Sequence, residues 1–218
     1  MSSRKTPTMT VDPAPGLPDP IAVARVGFAA IALFAVLGIV TALDASFLDG
    51  SFRLNGEWTI PTVASALPLL AGGAAAIIVG SRAPVERLRW YGFAVILAWM
   101  SFDEVVAVHE RLEAATGVDW QLLYLPIAGA AGLCWLLVRA RLGPLGRLLM
   151  VAGAVAWVSS QILELLQWQG DTKTPEYLAM MVPEELLEMM GSLLFLVAVL
   201  TWTEYGQRRS ESPSLTDG

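Results

Sequence analysis

The sequence predicts an all-α integral membrane protein, a polytopic bundle of six transmembrane helices with both termini in the cytoplasm. The chain of 218 residues is 55% hydrophobic and only 16% charged, with a mean hydropathy of +0.58, which is too apolar for an ordinary soluble domain. Its apolar stretches are long enough to cross a hydrocarbon layer of about 30 Å. Its basic residues also fall mostly on one side of the predicted membrane.

Six apolar stretches each reach the length of roughly 20 residues that a membrane-crossing helix needs. We expect them to form one membrane domain, residues 21–206. A proline-rich tail, residues 1–20, and a polar tail, residues 207–218, should be disordered on either side of it. The predicted spans are residues 21–43, 59–80, 90–109, 121–138, 145–168 and 182–205.

The charges give the chain an orientation. With a cytoplasmic amino terminus, eleven of the fourteen basic residues fall on the cytoplasmic side, and fourteen of the twenty acidic residues fall on the outer side. This positive-inside bias predicts a multi-pass protein of the cell (inner or plasma) membrane. The acidic outer face argues against a nucleic-acid partner. The expected partners are the lipid bilayer and, where the helices associate further, a second copy of the chain in a homo-oligomer.

Aromatic residues cluster near both predicted membrane boundaries. Such clusters are typical of the two interfacial belts of a membrane protein. We therefore expect these side chains to anchor the bundle at the lipid headgroups. They are Trp58, Trp120, Tyr124 and Trp168 at the outer boundary, and Trp90, Tyr91, Trp202 and Tyr205 at the inner one.

Polar and ionisable residues occur within three of the predicted spans. An ionisable side chain in a span costs about 2.5 to 3.5 kcal/mol, so these residues need compensating partners. They are Asp103, Glu104, His109 (the only histidine) and Glu110 on the third span, Ser160, Gln161 and Glu164 on the fifth, and Glu184, Glu185 and Glu188 on the sixth.

Helical periodicity predicts where these side chains point. If the third helix runs unbroken through Glu113, then Asp103, His109 and Glu110 share an arc of about 120°. Glu104 and Arg111, seven residues apart, would stack on its other side, which suits an ion pair or a shared network. The polar residues of the fifth and sixth spans also fill one arc each. We expect these stripes to turn inward and meet in the outer half of the membrane.

A set of carboxylates with one imidazole favours Mn, Fe or Zn as the bound metal, while carboxylates alone would suit Ca or Mg. We therefore predict a divalent-cation site that faces the extracytoplasmic side and could support catalysis. A standard di-iron site does not fit, because Val106 replaces the glutamate of a Glu-x-x-His pair and a second histidine is missing. The predicted metal ligands are Asp103, Glu104, His109, Glu164 and Glu188, and the secondary candidates are Glu110, Glu184, Glu185, Ser160 and Gln161.

Two other functions stay open at this point. The same carboxylates could serve a small cation- or proton-coupled transporter or channel, or form a buried acidic hydrogen-bond network in a structural or assembly subunit. The inner halves of the polar spans are apolar, for example residues 92–99 and 195–200, which favours a one-sided site over a conduit. Glu184 and Glu185 also follow Pro183, an arrangement typical of an ordinary helix start.

Two short segments carry a resemblance to other sequences. Residues 101–104 with His109 and Glu110 read S-x-D-E…H-E, and residues 184–191 read E-E-x-x-E-M-x-G. Together they resemble a pattern of uncharacterised bacterial multi-pass membrane proteins, over the third to sixth spans. The resemblance implies that the two segments belong together, and it implies no known activity.

Overall fold

The computed structural model describes residues 16–44, 47–56, 58–169 and 172–202. These residues are almost wholly helical, so the all-α prediction is confirmed, with one short antiparallel ladder of strands β1 (Trp168–Gln169) and β2 (Thr172–Lys173) added to it. Most of the two predicted tails, and the end of the predicted sixth span, lie outside the described residues. The helices are α1 (Pro20–Leu43), α2 (Ile60–Arg82), α3 (Arg87–Val106), α4 (Val108–Thr116), α5 (Trp120–Leu123), α6 (Leu125–Arg139), α7 (Pro144–Leu166) and α8 (Tyr177–Leu200).

The six long helices alternate in direction and give the bundle two chemically different ends. Helix α8 packs against α1, α2 and α7, while α3 packs against α2 and α6. We call the end where α1, α3 and α7 finish the acidic end, because most of the acidic residues lie there. The opposite end, where α2 and α6 finish at Arg82 and Arg139, is the basic end.

Several of these helices can span a membrane. Helices α1, α2 and α7 have 23 or 24 residues and mean hydropathies of 2.6, 2.0 and 1.6. Helices α3 and α4 taken together are also long and apolar enough to cross a membrane as one bent span. Large apolar side chains cover the outer surface, for example Val26 at 72% exposure and Leu148 at 64%. Soluble proteins rarely expose apolar surface on this scale, so this surface suits lipid.

Two of the six predicted spans are too short or too highly charged to count as membrane-spanning candidates. Helix α6 has 15 residues, which at 1.5 Å per residue is about 22 Å, less than the thickness of a typical bilayer core. Helix α8 is long enough but carries three glutamates in its first half. By length and composition, three or four of the described helices are therefore membrane-spanning candidates.

Local chemistry explains where the helices begin. Proline stands in the first turn of α1, α2, α6 and α7, where its missing N–H costs no hydrogen bond. Helix α8 is different, because it begins at Tyr177 and contains Pro183 in its interior. Glu184 and Glu185 therefore lie beyond its first turn, and the interpretation of these residues as a helix start is wrong.

The predicted third span is broken. Ala107 adopts a left-handed conformation with φ 50° and ψ 51°, which ends α3 and starts α4, and the two helices are bent by 68°. An unbroken helix through Glu113 was the basis of the predicted arc, so that arc does not exist. Among the ion pairs of the described residues, none joins Glu104 to Arg111, and the predicted stacking of these two residues is wrong as well.

The basic half of the bundle is filled by apolar packing. The rings of Trp90 and Trp202 meet edge to face with centroids 6.4 Å apart, and Phe93 meets Phe195 in the same way at 6.5 Å. Trp90 is 0% exposed and Trp202 is 1% exposed, so these two tryptophans are core residues and not part of an interfacial belt. Leu17, which precedes α1, packs into the same core.

Candidate functional site

One cavity of about 400 Å³ opens at the acidic end of the bundle. Its walls come from every helix from α2 to α8 and from the segments that precede α2, α6 and α8. Side chains that are far apart in the sequence thus share one space. We call it the acidic cavity, and its acidic lining residues are Asp103, Glu104, Glu110, Glu164, Glu184, Glu185 and Glu188.

The structure brings nearly all of the predicted site residues to this cavity. The five predicted metal ligands all line it, and so do four of the five secondary candidates. The fifth, Ser160, is 0% exposed and lies behind the wall, where it faces Glu188. The polar residues of the third, fifth and sixth predicted spans therefore meet at this cavity. The break at Ala107 changes how those of the third span reach it.

Asp103 uses both of its carboxylate oxygens on neighbouring groups. Its Oδ2 lies 2.8 Å from Nδ1 of His109, and its Oδ1 accepts hydrogen bonds from the Tyr124 hydroxyl at 2.7 Å and from the His109 backbone N–H at 3.2 Å. These contacts fix the orientation of the imidazole. They leave Nε2 as the ring nitrogen that can face a ligand, a common role for a carboxylate beside a functional histidine.

Glu104 lies at the contact between α2 and α3. The hydroxyl of Ser65, which is 4% exposed, donates a hydrogen bond to Oε1 of Glu104. Close to it, the Ser101 hydroxyl donates to the Ala66 carbonyl at 2.9 Å and aligns the two helices. Ser65 was not among the predicted site residues. A signal was present, since Thr62 and Ser65 are hydroxyl residues near the acidic end of a largely apolar helix.

Glu164 is held by an aromatic side chain. Nε1 of Trp120 donates to Oε1 of Glu164 at 3.2 Å, and the Trp120 ring lies 4.7 Å from the His109 ring, centroid to centroid. Trp120, Tyr124 and Trp168 all line the acidic cavity. Their position near a membrane boundary predicted a lipid-facing belt, whereas here they form walls of the site.

Glu188 and Glu184 join α8 to α7. The Gln161 amide donates to Oε1 of Glu188 at 3.0 Å, and the Ser160 hydroxyl approaches the same oxygen at 3.4 Å. The Gln167 amide donates to Oε2 of Glu184 at 3.3 Å, with both side chains buried. Glu185 lines the cavity beside them, and none of the side-chain hydrogen bonds of the described residues involves it.

The carboxylates of the cavity lie close enough to one another to repel when they are ionised. Glu188 interacts electrostatically with Glu104, Glu164, Glu184 and Glu185. Among the ion pairs of the described residues, none joins a lysine or an arginine to any of these five glutamates. Neutral amide, hydroxyl and indole donors contact four of them instead, so no lysine or arginine of the described part of the chain balances their negative charge.

One lysine does line the cavity, but it contacts aromatic rings. Nζ of Lys173 lies 3.8 Å from the centroid of the Tyr177 ring and 5.5 Å from that of Trp168. The Tyr177 hydroxyl accepts a hydrogen bond from the Asn55 amide at 2.6 Å. Sequence reasoning missed Lys173 and Tyr177 because they lie between predicted spans, where no periodic pattern marks a shared position.

The predicted metal ligands lie around the cavity without converging on a point. Within the described ranges, no three His, Cys, Asp or Glu side chains are arranged so that they could hold one metal ion. The ligands of such an ion would have to lie at about 2.0 to 2.6 Å from it. The side chains would therefore need to rotate inward for a metal to bind.

A comparison with known families matches residues 21–203 to a family described as a domain of unknown function, DUF8692. The chain belongs to the DUF8692 family. The match covers the described helices from residue 21 onward, including every wall of the acidic cavity, so the cavity lies within the family domain. No curated protein and no solved structure matches the chain.

Proposed function

We propose that this DUF8692 protein is a membrane protein that crosses the cell membrane six times and binds a cation in its acidic cavity, on the extracytoplasmic side. One observation carries the proposal. Five glutamates on three helices share a cavity and repel one another, and no lysine or arginine of the described residues pairs with them. They are Glu104, Glu164, Glu184, Glu185 and Glu188.

Burial makes an unpaired charge on these glutamates energetically costly. Each uncompensated ionisable group near the centre of a membrane span costs about 2.5 to 3.5 kcal/mol. Such groups normally pair with one another or mark an ion or substrate site. A bound cation would remove the repulsion between these carboxylates in their ionised form and make their burial favourable.

The six-span topology and the orientation are supported by the distribution of charge. The basic end carries Arg82, Arg87 and Arg139 at helix termini, and positive residues favour the cytoplasmic side. The short helix α5 (Trp120–Leu123) precedes α6 almost directly and lengthens that segment. The acidic cavity would then face outward.

Binding is better supported than passage through the membrane. Below the cavity, the basic half of the bundle is occupied by buried Leu97, Met150 and Phe195 and by the Trp90–Trp202 pair. For a cation to pass from the cavity to the basic end, polar side chains would have to stand where these apolar side chains pack. We therefore prefer a binding site to a transporter or channel.

A divalent metal ion is one candidate for the cation that this cavity binds. Its ligands would be drawn from Nε2 of His109 and the carboxylates of Glu104, Glu164 and Glu188, with Asp103 orienting the imidazole. An imidazole with carboxylates would favour Mn, Fe or Zn, and carboxylates alone would favour Ca or Mg. Closure of these side chains around one point would be required.

The test measures thermal unfolding of the protein in lipid nanodiscs with a panel of cations that includes Mn²⁺, Zn²⁺, Ca²⁺, Mg²⁺ and methylammonium. A cation at one hundred times its Kd should raise the free energy of unfolding by about 2.7 kcal/mol. Glu188→Gln should remove most of this gain. It should also stabilise the cation-free protein at a pH at which these carboxyls are ionised, because one of the repelling charges is then gone.

The matched control is Glu176→Gln, which removes an exposed acid at the same end of the bundle. It should leave both effects unchanged. The proposal fails if no cation in the panel stabilises the wild-type protein, or if the control loses as much stabilisation as Glu188→Gln.

A further inference from the structure

The size of the acidic cavity distinguishes between kinds of cation. Its volume is about 400 Å³, which falls in the range of small-molecule pockets, about 300 to 1,000 Å³. A bare metal ion fills only a small part of such a space. The described residues also provide no group of three metal-binding side chains around one point. Both features favour an ion made of several heavy atoms.

Aromatic rings form much of the remaining wall. A cation is attracted to the face of an aromatic ring when it lies within about 6 Å of the ring centroid. Carboxylates and aromatic faces in one cavity are therefore the combination that recognises an organic ammonium group. The aromatic lining residues are Trp99, Trp120, Tyr124, Trp157, Trp168 and Tyr177.

The chain itself already places an ammonium group in this wall. The Lys173 ammonium lies over the Tyr177 ring, at 3.8 Å from its centroid, and within 5.5 Å of the Trp168 centroid. This contact is independent of the glutamate cluster, and it demonstrates that the geometry of these two rings holds an alkylammonium. Glu185 also lines the cavity, eight residues after Tyr177 on α8, and it adds to the negative potential that attracts such a group.

We infer that the ligand of the acidic cavity is a small organic ammonium compound, whose cationic group takes the place of the Lys173 side chain over Tyr177 and Trp168 and is attracted by the negative potential of the cavity carboxylates. This inference rests on the proposed cation-binding function and specifies its ligand class. Lys173 then acts as an internal competitor for the aromatic face. Removal of its charge should free that face.

The experiment titrates the nanodisc-embedded protein with methylammonium and tetramethylammonium by calorimetry, and with Mn²⁺ and Zn²⁺ in parallel. We expect saturable binding of at least one ammonium compound. Tyr177→Leu should weaken it about fivefold to thirtyfold, the equivalent of one cation–π contact. Tyr177→Phe keeps the ring and should bind like the wild-type protein.

Lys173→Gln provides a test with the opposite sign. It should tighten ammonium binding several-fold because it vacates the aromatic face. Arg53→Gln is the matched control, since it removes one exposed positive charge from the same end of the bundle without touching these rings. A similar gain in both variants would reveal a general charge effect and would overturn the inference.

The two proposals fail in different ways. Binding of Mn²⁺ or Zn²⁺ without binding of either ammonium compound would refute the ligand class and leave the cation site intact. Absence of binding for every probe would refute both proposals. Ammonium binding that is equal in the wild-type, Tyr177→Leu and Lys173→Gln proteins would show that the aromatic face is not used, and the inference would be wrong.

Discussion

The imidazole of His109 folds back onto the carboxylate of Asp103, with Nδ1 at 2.8 Å from Oδ2. The contact spans the break at Ala107, and the same carboxylate accepts the backbone N–H of His109 at 3.2 Å. Asp103 therefore satisfies one of the free N–H groups at the start of α4, a task that usually falls to a capping side chain. The bend and the Asp103–His109 pair form one structural unit.

This unit predicts a measurable coupling between the two residues. In a double-mutant cycle of Asp103→Asn and His109→Gln, unfolding in nanodiscs should give an interaction energy of about 0.5 to 3 kcal/mol, as for residues in one hydrogen-bond network. A parallel cycle of Glu176→Gln with His109→Gln should give an interaction energy near zero. Equal values in the two cycles would mean that the pair does not support the bend.

The approach of α7 and α8 depends on Gly191. A Cβ placed at Gly191 would collide with the Trp157 ring and the Gly153 carbonyl, and Trp157 lines the acidic cavity. Gly191→Ala should therefore destabilise the protein by about 1 to 3 kcal/mol through overpacking. It should also weaken cation binding, because Trp157 and the neighbouring cavity wall would shift.

Gly129 provides the matched control for that prediction. A Cβ at Gly129 meets no atom within 4 Å, so Gly129→Ala should instead stabilise α6 by about 0.5 to 1 kcal/mol through helix propensity. Thermal unfolding of both variants, with cation titration, is the measurement. Destabilisation of the same size in the two variants would contradict the proposed close contact.

An ion pair at the basic end joins two loops of the bundle. Nη1 of Arg141 lies 2.7 Å from Oε1 of Glu86, which is 6% exposed, while Arg89 lies 3.8 Å from the same oxygen. Arg141→Ala should cost about 1 to 3 kcal/mol, because a buried carboxylate loses its nearest partner and Arg89 compensates only in part. Cation binding at the distant acidic end should not change.

The control for this pair is Arg87→Ala, which removes an exposed arginine from the same end of the bundle. A surface substitution of this kind normally changes stability by less than about 0.5 kcal/mol. If unfolding in nanodiscs gave the same loss for both variants, the ion pair would not be a specific tie between the loops.

Much of the fold and part of the site could be predicted from local patterns. The starts of α1, α2 and α7 lie within one or two residues of the predicted spans, because proline and the change to apolar sequence mark them. The stripe of Ser160, Gln161 and Glu164 on one face of a helix predicted an inward-facing surface. The Gln161–Glu188 hydrogen bond agrees with that prediction.

Other parts of the site could not be predicted in this way. The break at Ala107 is held by Asp103, His109 and Tyr124 together, and no glycine or proline at that position announces it. Trp120 and Tyr124 carry the sequence signature of an interfacial belt, and only their packing against His109 and Glu164 makes them cavity walls. Lys173 lies in a loop, where periodicity gives no information on its neighbours.

The sequence by itself determined the helical segments, their apolar surfaces and the separation of acidic from basic residues between the two ends. These properties depend on residue type and on spacing within single helices. Only the tertiary structure decided that Asp103 orients His109, that neutral donors hold the glutamates, and that aromatic rings with Lys173 enclose the same space. Such relationships arise between groups from different helices, and they depend on packing and on a local bend whose energy is shared by distant residues.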